Sequence, residues 1–417
     1  MVSDLNEVFS VNAMHMKKSV IRELLKLTRR PEVISFAGGL PDPAAFPVKE
    51  VAEITKYVLE TQGATALQYG PTEGDPKLKD ELIAHHERED GMVLKPENLL
   101  ITVASQQGLD LTGKVFLNRG DTVVVGLPTY VGGLGAFNSY GACMTGITLD
   151  DEGMRMDLLE QELERMRKQR SKPKFIYVVP DFQNPAGITM KEERRLKLIE
   201  LARKYDVLIV EDSPYKELRY EGEHQKSIFA LDGTGHVIGL HTFSKILFPG
   251  MRLGWVIGDE AVIQKMVIAK QATDLCTPSF TQAIIAEFAS RGLLNKVIEK
   301  VKGIYQRKRE LMLTALDDHM PDLPGLSWTR PDGGLFLWVR LPDGFDAEQL
   351  FYEAVEKNVA FVVGSAFHCD GGGQNAMRLN FSYPTEDDIV EGVKRLAGVI
   401  AAHRAAPSDG ADVLISP

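Results

Sequence analysis

The sequence predicts an α/β fold, with a large domain built on a mainly parallel sheet between helices and a smaller α+β domain. Between residues 99 and 214, near-continuous apolar runs alternate with amphipathic helical segments, which is typical of parallel strands buried on both faces. A long charged helix near residues 292–316 then leads into strands of alternating polarity, such as MRLNFSYP. The 417 residues suffice for about two or three domains.

Composition and charge indicate a protein with small-molecule partners. The formal net charge of −10 argues against a general nucleic-acid or anionic-membrane binder. Cys143, Cys276 and Cys369 are isolated, and no HExxH pattern occurs, so we expect neither a disulfide framework nor a metal site. No GxGxxG follows a strand, which argues against a nicotinamide site. The N-terminal stretch lacks the apolar core of a secretory signal, and we expect a cytoplasmic protein.

The N-terminal part offers three candidate binding residues. Arg22 lies on a predicted helix, at a position where it can leave the apolar face, and a solvated helix residue paired with a nearby glutamate such as Glu23 is the alternative. Gly39, in a glycine pair after an apolar strand, lets the backbone approach a ligand closely, and a plain turn is the alternative. Tyr69 lies in the loop LQYGPTEG, whose glycines and proline exclude regular structure; packing is the alternative for its ring.

Polar and aromatic residues follow the predicted strands of the large domain. Ser105 and Gln106 open a helix whose free N–H groups form an anion site, and helix capping by Ser105 is the alternative. Tyr130 ends the next strand, where its ring can lie flat on a pyridine ring. Because active-site residues of a parallel sheet lie at the carboxyl ends of the strands, these positions are candidate site residues.

Two further strands end at Asn184, in PDFQNPAG, and Asp212, in VEDSPY. A carboxylate at such a position can pair with a pyridine nitrogen and hold its proton. A buried aspartate requires a cationic partner, and the alternative for Asp212 is a helix or turn cap. Tyr215 follows three residues later, where with Asn184 it can donate to a phenolate oxygen.

The segment 237–258 indicates a cofactor for these candidates. One apolar strand ends before Ser244 and Lys245, and a second strand is predicted from Arg252. Desolvation disfavours a charged lysine, and a neutral lysine is a nucleophile that forms Schiff bases. Ser244 and Arg252 supply the neutral and forked cationic donors that suit a phosphate. Amine and phosphate site together suggest pyridoxal phosphate; a solvated Lys245 with Arg252 in a surface pair is the alternative.

The smaller domain contributes Arg378, in the alternating segment MRLNFS. One face of this strand is apolar and the other can present the guanidinium to a cleft, whereas the alternative is a surface arginine on an edge strand. Beyond it, residues 401–417 are mostly small and polar, and we expect a disordered tail there.

These motifs resemble those of fold-type-I, class I/II aminotransferases that depend on pyridoxal 5′-phosphate (PLP). The resemblance extends over nearly the whole chain. The spacing from Lys245 to Arg252 is similar to that of the 2-aminoadipate and kynurenine aminotransferase branch rather than the aspartate enzymes. The matching motifs are S-K-x-x-x-P-G-x-R from 244, N-P-x-G from 184, E-D-x-x-Y from 211, R-L-x-F-S from 378 and Y-x-x-x-x-G from 69.

The resemblance implies the architecture. We expect a seven-stranded sheet in a large PLP-binding domain over residues 46–300 and a small C-terminal domain over 301–400. An N-terminal arm over 1–45 is expected to contribute to the small domain and the active site. The resemblance also implies a homodimer with shared active sites, in which Tyr69 reaches the cofactor phosphate of the neighbouring subunit. Thr277 is expected to face the subunit interface.

The resemblance also implies residue roles. Lys245 is the catalytic residue, which holds the cofactor and then acts as general base and acid. The matching arginines bind carboxylates, Arg378 that of the backbone and Arg22 that of the side chain of 2-aminoadipate. The expected cofactor-binding residues are Ser105, Gln106, Tyr130, Asn184, Asp212, Tyr215, Ser244, Lys245, Arg252 and Tyr69. The expected substrate-binding residues are Arg22, Gly39, Tyr69, Asn184 and Arg378.

The predicted function is therefore amino transfer between an L-amino acid and a 2-oxo acid such as 2-oxoglutarate, with ping-pong kinetics. The expected amino donors are 2-aminoadipate and glutamate, with leucine and aromatic amino acids beside them. The alternatives are an aromatic or branched-chain aminotransferase and a PLP-dependent lyase on the same fold. Certain transcriptional regulators share fold and cofactor, but we expect too short an arm here for their winged-helix domain.

Overall fold

The computed structural model describes residues 7–16 and 30–403. In these ranges the strands are Ile34–Ser35 (β1), Leu99–Thr102 (β2), Thr122–Leu127 (β3), Cys143–Asp150 (β4), Gly153–Met154 (β5), Phe175–Val178 (β6), Leu208–Asp212 (β7), Val237–Thr242 (β8), Gly254–Ile257 (β9), Ser327–Trp328 (β10), Phe336–Arg340 (β11), Val359–Ala360 (β12), Val362–Val363 (β13) and Ala376–Asn380 (β14).

The helices of the described ranges surround these strands. They are Val11–His15 (α1), Val48–Ala66 (α2), Pro76–Asp90 (α3), Ala104–Phe116 (α4), Val131–Ser139 (α5), Met156–Lys168 (α6), Glu192–Tyr205 (α7), Ile228–Asp232 (α8), Glu260–Gln271 (α9), Ser279–Ser290 (α10), Leu293–His319 (α11), Ala347–Glu356 (α12) and Glu386–Ala402 (α13). None of them is long and apolar enough to span a membrane.

The large sheet has the strand order β2-β9-β8-β7-β6-β3-β4-β5. Strands β8, β7, β6, β3 and β4 pair in parallel, while β9 runs antiparallel to both its neighbours. The predicted α/β fold with a mainly parallel seven-stranded sheet is confirmed, and a two-residue strand, β5, is added at one edge. Strand β6 illustrates the burial of both faces, because Phe175 and Tyr177 join one core cluster and Ile176 and Val178 the other.

A second, antiparallel sheet has the order β10-β11-β14-β13. The arm joins this part of the chain, because β1 pairs in parallel with β12 and the Asn380 N–H donates to the carbonyl of Phe36. The expected domain boundary between residues 300 and 301 falls inside the continuous helix α11, so that division stays a prediction. Residues 401 and 402, expected in the disordered tail, are the last of α13; residues 404–417 lie outside the described ranges.

Candidate active site

Lys245 lies three residues beyond the end of β8, in the turn that leaves the sheet. Its Nζ donates to the carbonyl oxygen of Gly39 at 2.8 Å. Burial of the amine, and to a smaller extent the positive charges of Arg378 and Arg252, lower the pKa of Lys245 to about 8. A substantial fraction of the side chain is therefore uncharged slightly above neutral pH, as a nucleophile or general base requires.

Asp212, at the end of β7, is a buried carboxylate with one unpartnered oxygen. Its Oδ2 accepts a hydrogen bond from the hydroxyl of Tyr177 at 2.8 Å, while no donor of the described chain reaches the buried Oδ1. Burial raises the pKa of Asp212 to about 7, and the Tyr177 hydrogen bond opposes that rise. Asp212 does not cap a helix or turn through its side chain, and its free oxygen suits a cationic N–H donor.

Arg378 lies on β14, which is flanked by β11 and β13, so the alternative of a surface arginine on an edge strand is wrong. Only 3% of the residue is exposed. Its Nη1 donates to Asn184 Oδ1 at 2.8 Å and its Nη2 to Ala37 O at 2.7 Å, which leaves the buried Nε without a partner in the described chain. Burial lowers the pKa of Arg378 to about 10, but the guanidinium stays charged near neutral pH.

Two aromatic rings and two polar groups fix the surroundings of Arg378. The rings of Phe336 and Phe367 lie 4.2 and 5.1 Å from its guanidinium carbon. Asn184, bonded to Arg378 through Oδ1, donates through Nδ2 to the hydroxyl of Tyr215 at 3.3 Å. The residues expected to bind the carboxylate and the phenolate oxygen therefore form one buried hydrogen-bonded chain.

The N-terminus of α4 forms the candidate phosphate site. The helix begins at Ala104, after Val103 in the N-cap position, so Ser105 lies in the first turn and the capping alternative is wrong. First-turn N–H groups lack partners within a helix and favour anions. Gln106 is exposed, and its Nε2 donates to Gly132 O at 3.2 Å.

Ser244 is buried and accepts a hydrogen bond from the hydroxyl of Thr242 at 2.9 Å. Arg252 does not start the second strand as expected, because the strand begins at Gly254 and Arg252 ends a short 3-10 turn with φ of 53°. The guanidinium of Arg252 is exposed, and its Nη1 lies 3.5 Å from Pro249 O. Arg252 is close enough to Lys245 to lower its pKa.

Tyr130 is the N-cap residue of α5 and is partly buried. Its hydroxyl lies 3.5 Å from Gln106 Oε1. Gly39 leaves room for the ring of Phe336, whose Cζ would lie 3.2 Å from any added Cβ. Gly39 therefore allows the backbone to approach both Lys245 and the ring of Phe336 beside Arg378.

The remaining expectations concern Tyr69, Thr277 and Arg22. Tyr69 is 78% exposed, at the surface of the single chain. Thr277, expected at a subunit interface, is fully buried within the chain, where its hydroxyl donates to Ile101 O at 3.2 Å, so that expectation is wrong. Arg22 lies outside the described residues.

The sequence interpretation missed Tyr177, Phe336 and Phe367. Tyr177 stands in the wholly buried run FIYV, where no polar neighbour distinguishes its face from that of Val178. The signal that could have found it is the tyrosine itself, because a buried hydroxyl needs a hydrogen-bond partner.

The side chains described here fit PLP. The unpartnered oxygen of Asp212 matches a protonated pyridine nitrogen, the desolvated amine of Lys245 matches an aldehyde, and the first turn of α4 with Ser244 matches a phosphate. Of these groups, Asp212 Oδ1 has no hydrogen-bond partner within the described residues, whereas Lys245 is bonded to Gly39 O and Ser244 to Thr242.

Known proteins resemble this chain over nearly its whole length. The family described as aminotransferase class I and II matches residues 31–396. An aromatic-amino-acid aminotransferase of Thermococcus litoralis is 49% identical over 397 residues, which cover 95% of each chain.

Two solved structures are similar as well. The kynurenine aminotransferase of Pyrococcus horikoshii, in complex with PMP and kynurenine, is 48% identical with a TM-score of 0.92, over 96% of this chain and 98% of that one. LysN, the α-aminoadipate aminotransferase of Thermus thermophilus, carries N-(5′-phosphopyridoxyl)-L-leucine and is 38% identical with a TM-score of 0.88, over 95% and 98%. This chain therefore belongs to the class I and II aminotransferases, the enzymes of fold type I that transfer amino groups with pyridoxal 5′-phosphate.

Proposed function

We propose that this enzyme transfers the amino group of 2-aminoadipate, glutamate, leucine or an aromatic amino acid to a 2-oxo acid such as 2-oxoglutarate, with ping-pong kinetics. The observation that carries the proposal is the buried guanidinium of Arg378. Its Nε has no partner in the described chain, and no carboxylate of the described chain pairs with it. A buried cation in this state suits the α-carboxylate that amino and 2-oxo acids share.

Bound PLP supplies an electron sink that stabilises negative charge at the substrate Cα. The lowered pKa of Lys245 supports its role as the base that removes the Cα proton. Arg378 binds the α-carboxylate and, with Gly39 and Asn184, orients the substrate. The ionised carboxylate of Asp212 pairs with the protonated ring nitrogen and keeps the proton there. The remaining proposed cofactor contacts are Ser105, Gln106, Tyr130, Tyr215, Ser244 and Arg252.

We further propose a homodimer whose active sites each borrow Tyr69 from the neighbouring subunit. Tyr69 is 78% exposed and Leu67, two residues earlier, is 68% exposed. This exposure leaves both side chains accessible to a neighbouring subunit. The motif around Tyr69 supports its assignment to the cofactor phosphate and the substrate.

The assignment of amino transfer rather than elimination or decarboxylation can be tested with one substrate. Purified holoenzyme mixed with glutamate alone should release 2-oxoglutarate in an amount equal to its active sites and retain pyridoxamine phosphate, because the amino group stays with the cofactor. Ammonia or carbon dioxide released over many turnovers, with the aldehyde form of the cofactor retained, would identify a lyase instead.

The proposal of dicarboxylic substrates depends on the role of Arg22, and that role is inferred from its sequence motif. If its guanidinium binds the side-chain carboxylate, that charge-assisted bond is worth about 1.5–3 kcal/mol, at about 1.4 kcal/mol per tenfold change. Arg22→Ala should therefore lower kcat/KM for 2-aminoadipate and glutamate roughly ten- to a hundredfold, while leucine serves as the internal control with nearly unchanged kcat/KM. Equal losses for both classes would favour the second candidate, an aromatic or branched-chain aminotransferase, and the names of two similar enzymes support its aromatic form.

A further inference from the structure

The carboxylate of Asp212 is held by a single side chain in the described part of the protein. Tyr177, on the neighbouring strand β6, donates its hydroxyl hydrogen to Oδ2 at 2.8 Å, and both residues are buried. The other oxygen, Oδ1, has no partner within the described residues. Within the described residues, one hydroxyl group therefore orients the Asp212 carboxylate and stabilises its ionised form.

The ring of Tyr177 is fixed from two sides. A Cβ at Gly133 would lie 2.9 Å from two of its ring carbons and 3.1 Å from its hydroxyl oxygen, so the ring occupies space that only a glycine at 133 leaves free. On another side, the ring of Phe137 packs edge-to-face at 5.3 Å. The hydroxyl is therefore held at one place relative to β7.

We propose that Tyr177 is a positioning residue, which keeps Asp212 ionised and directed at the pyridine nitrogen so that the shared proton stays on that nitrogen. The inference rests on the proposed role of Asp212. A hydrogen bond donated to a carboxylate stabilises its charged form. Without the donor, the carboxylate binds a proton more strongly and draws it from the ring nitrogen, which leaves a neutral pyridine that withdraws electrons less strongly from the substrate.

The opposed contributions to the pKa of Asp212 agree with this inference. Burial raises that pKa to about 7, and the Tyr177 hydrogen bond is the contribution that lowers it. Removing the hydroxyl therefore pushes the proton affinity of Asp212 still higher.

The test compares Tyr177→Phe with Tyr140→Phe in the PLP-loaded enzyme. Tyr140 is a matched control, because its hydroxyl donates to Asp110 Oδ1 at 3.0 Å and its ring packs over Gly113. Cofactor labelled with ¹⁵N at the ring nitrogen reports protonation directly. We expect the Tyr177→Phe resonance to move toward that of neutral pyridine and kcat to fall roughly ten- to a hundredfold with little change in KM. Tyr140→Phe should keep the wild-type resonance and kcat.

Two further variants show whether a failed test contradicts the role of Tyr177 or the role of Asp212. Gly133→Ala, which displaces the Tyr177 ring but retains its hydroxyl, should move the resonance in the same direction. A wild-type resonance in Tyr177→Phe would overturn the inference, whether kcat falls or not, because a purely structural role leaves the nitrogen protonated. If Asp212→Ala itself keeps full activity, the proposed role of Asp212 is wrong; if it loses activity while Tyr177→Phe behaves as wild type, only the role of Tyr177 is.

Discussion

Replacing Asp212 by asparagine should stabilise the cofactor-free protein and inactivate the loaded enzyme. The carboxylate is 2% exposed and has one donor, Tyr177, in the described chain. Without the cofactor, its ionised form lacks a cationic partner. Asparagine has nearly the same shape and carries no charge, so it avoids the cost of burying an unpaired carboxylate.

The magnitude follows from the pKa of Asp212, which burial raises from 3.8 to about 7. At about 1.4 kcal/mol per unit, a rise of about three units makes the folded, cofactor-free protein about 4 kcal/mol less stable at high pH than a chain without this charge. Because the folded-state pKa is the higher one, the stability is fully present below about pH 4 and is lost as the pH rises through about 7. The advantage of the asparagine variant should appear across the same interval.

Thermal unfolding of the cofactor-free proteins at pH 5 and pH 8.5 measures this difference. Asp212→Asn should melt several degrees above wild type at pH 8.5 and much closer to it at pH 5. Asp90→Asn is the matched control. Asp90 is also buried, but Lys216 at 2.6 Å and His224 at 2.8 Å outweigh its burial and lower its pKa, so its replacement should destabilise the protein at pH 8.5. A wild type more stable than Asp212→Asn at pH 8.5 would refute the reasoning.

Three further predictions concern the proposed roles. Lys245→Ala should abolish turnover and the visible absorbance band of the lysine-bound cofactor while circular dichroism keeps the wild-type spectrum; an active variant that retains the band would contradict the central assignment. Mixing inactive Lys245→Ala subunits with inactive Tyr69→Phe subunits should restore activity in hybrid dimers, and no recovery after confirmed subunit exchange would argue against shared sites. Arg378→Lys should lower kcat/KM roughly ten- to a hundredfold for every amino acid. Arg309→Lys, at a buried arginine of α11 that donates to Pro331 O, should change stability without this loss, and equal effects of the two substitutions would make Arg378 structural.

The sequence predicts the large sheet well because burial on both faces leaves a simple signal. Strands β3, β6, β7 and β8 are almost wholly buried, so they appear as continuous apolar runs, and the candidate polar residues stand where those runs stop. The same apolar pattern does not show which side chains within a run contact one another or a neighbouring strand. Tyr177 and Val178 are neighbours in the sequence but belong to opposite core clusters, and only the three-dimensional structure pairs Tyr177 with Asp212.

Local sequence signals predict the ends of helices and strands less reliably where the backbone conformation of a single residue determines the boundary. Serine is a preferred N-cap, yet α4 begins at Ala104, which has a left-handed φ of 57°, and its N-cap is Val103, two residues before Ser105. The strand expected from Arg252 begins at Gly254, because Arg252 itself takes a left-handed conformation after the Pro249–Met251 turn. Thr277 stands in a polar stretch, but its hydroxyl is satisfied by the carbonyl of Ile101 inside the chain. None of these outcomes follows from residue type or spacing.

The buried charged groups of the site lack partners of opposite charge within the described chain, and bound ligands can supply those partners. Arg378 and Lys245 are both cationic groups without a carboxylate partner in the described chain, and each is less easily protonated than in water because of burial. Asp212 has the opposite charge but is bonded to Tyr177 rather than to either cation. A protein selected for stability alone would pair such charges or replace them. The unpaired state instead matches a cationic ring nitrogen for Asp212, a carboxylate for Arg378 and an electrophilic carbon for Lys245, which together describe one cofactor and one α-amino acid. We therefore expect bound cofactor and substrate to raise the free energy of unfolding, because each removes an electrostatic cost that the ligand-free fold carries.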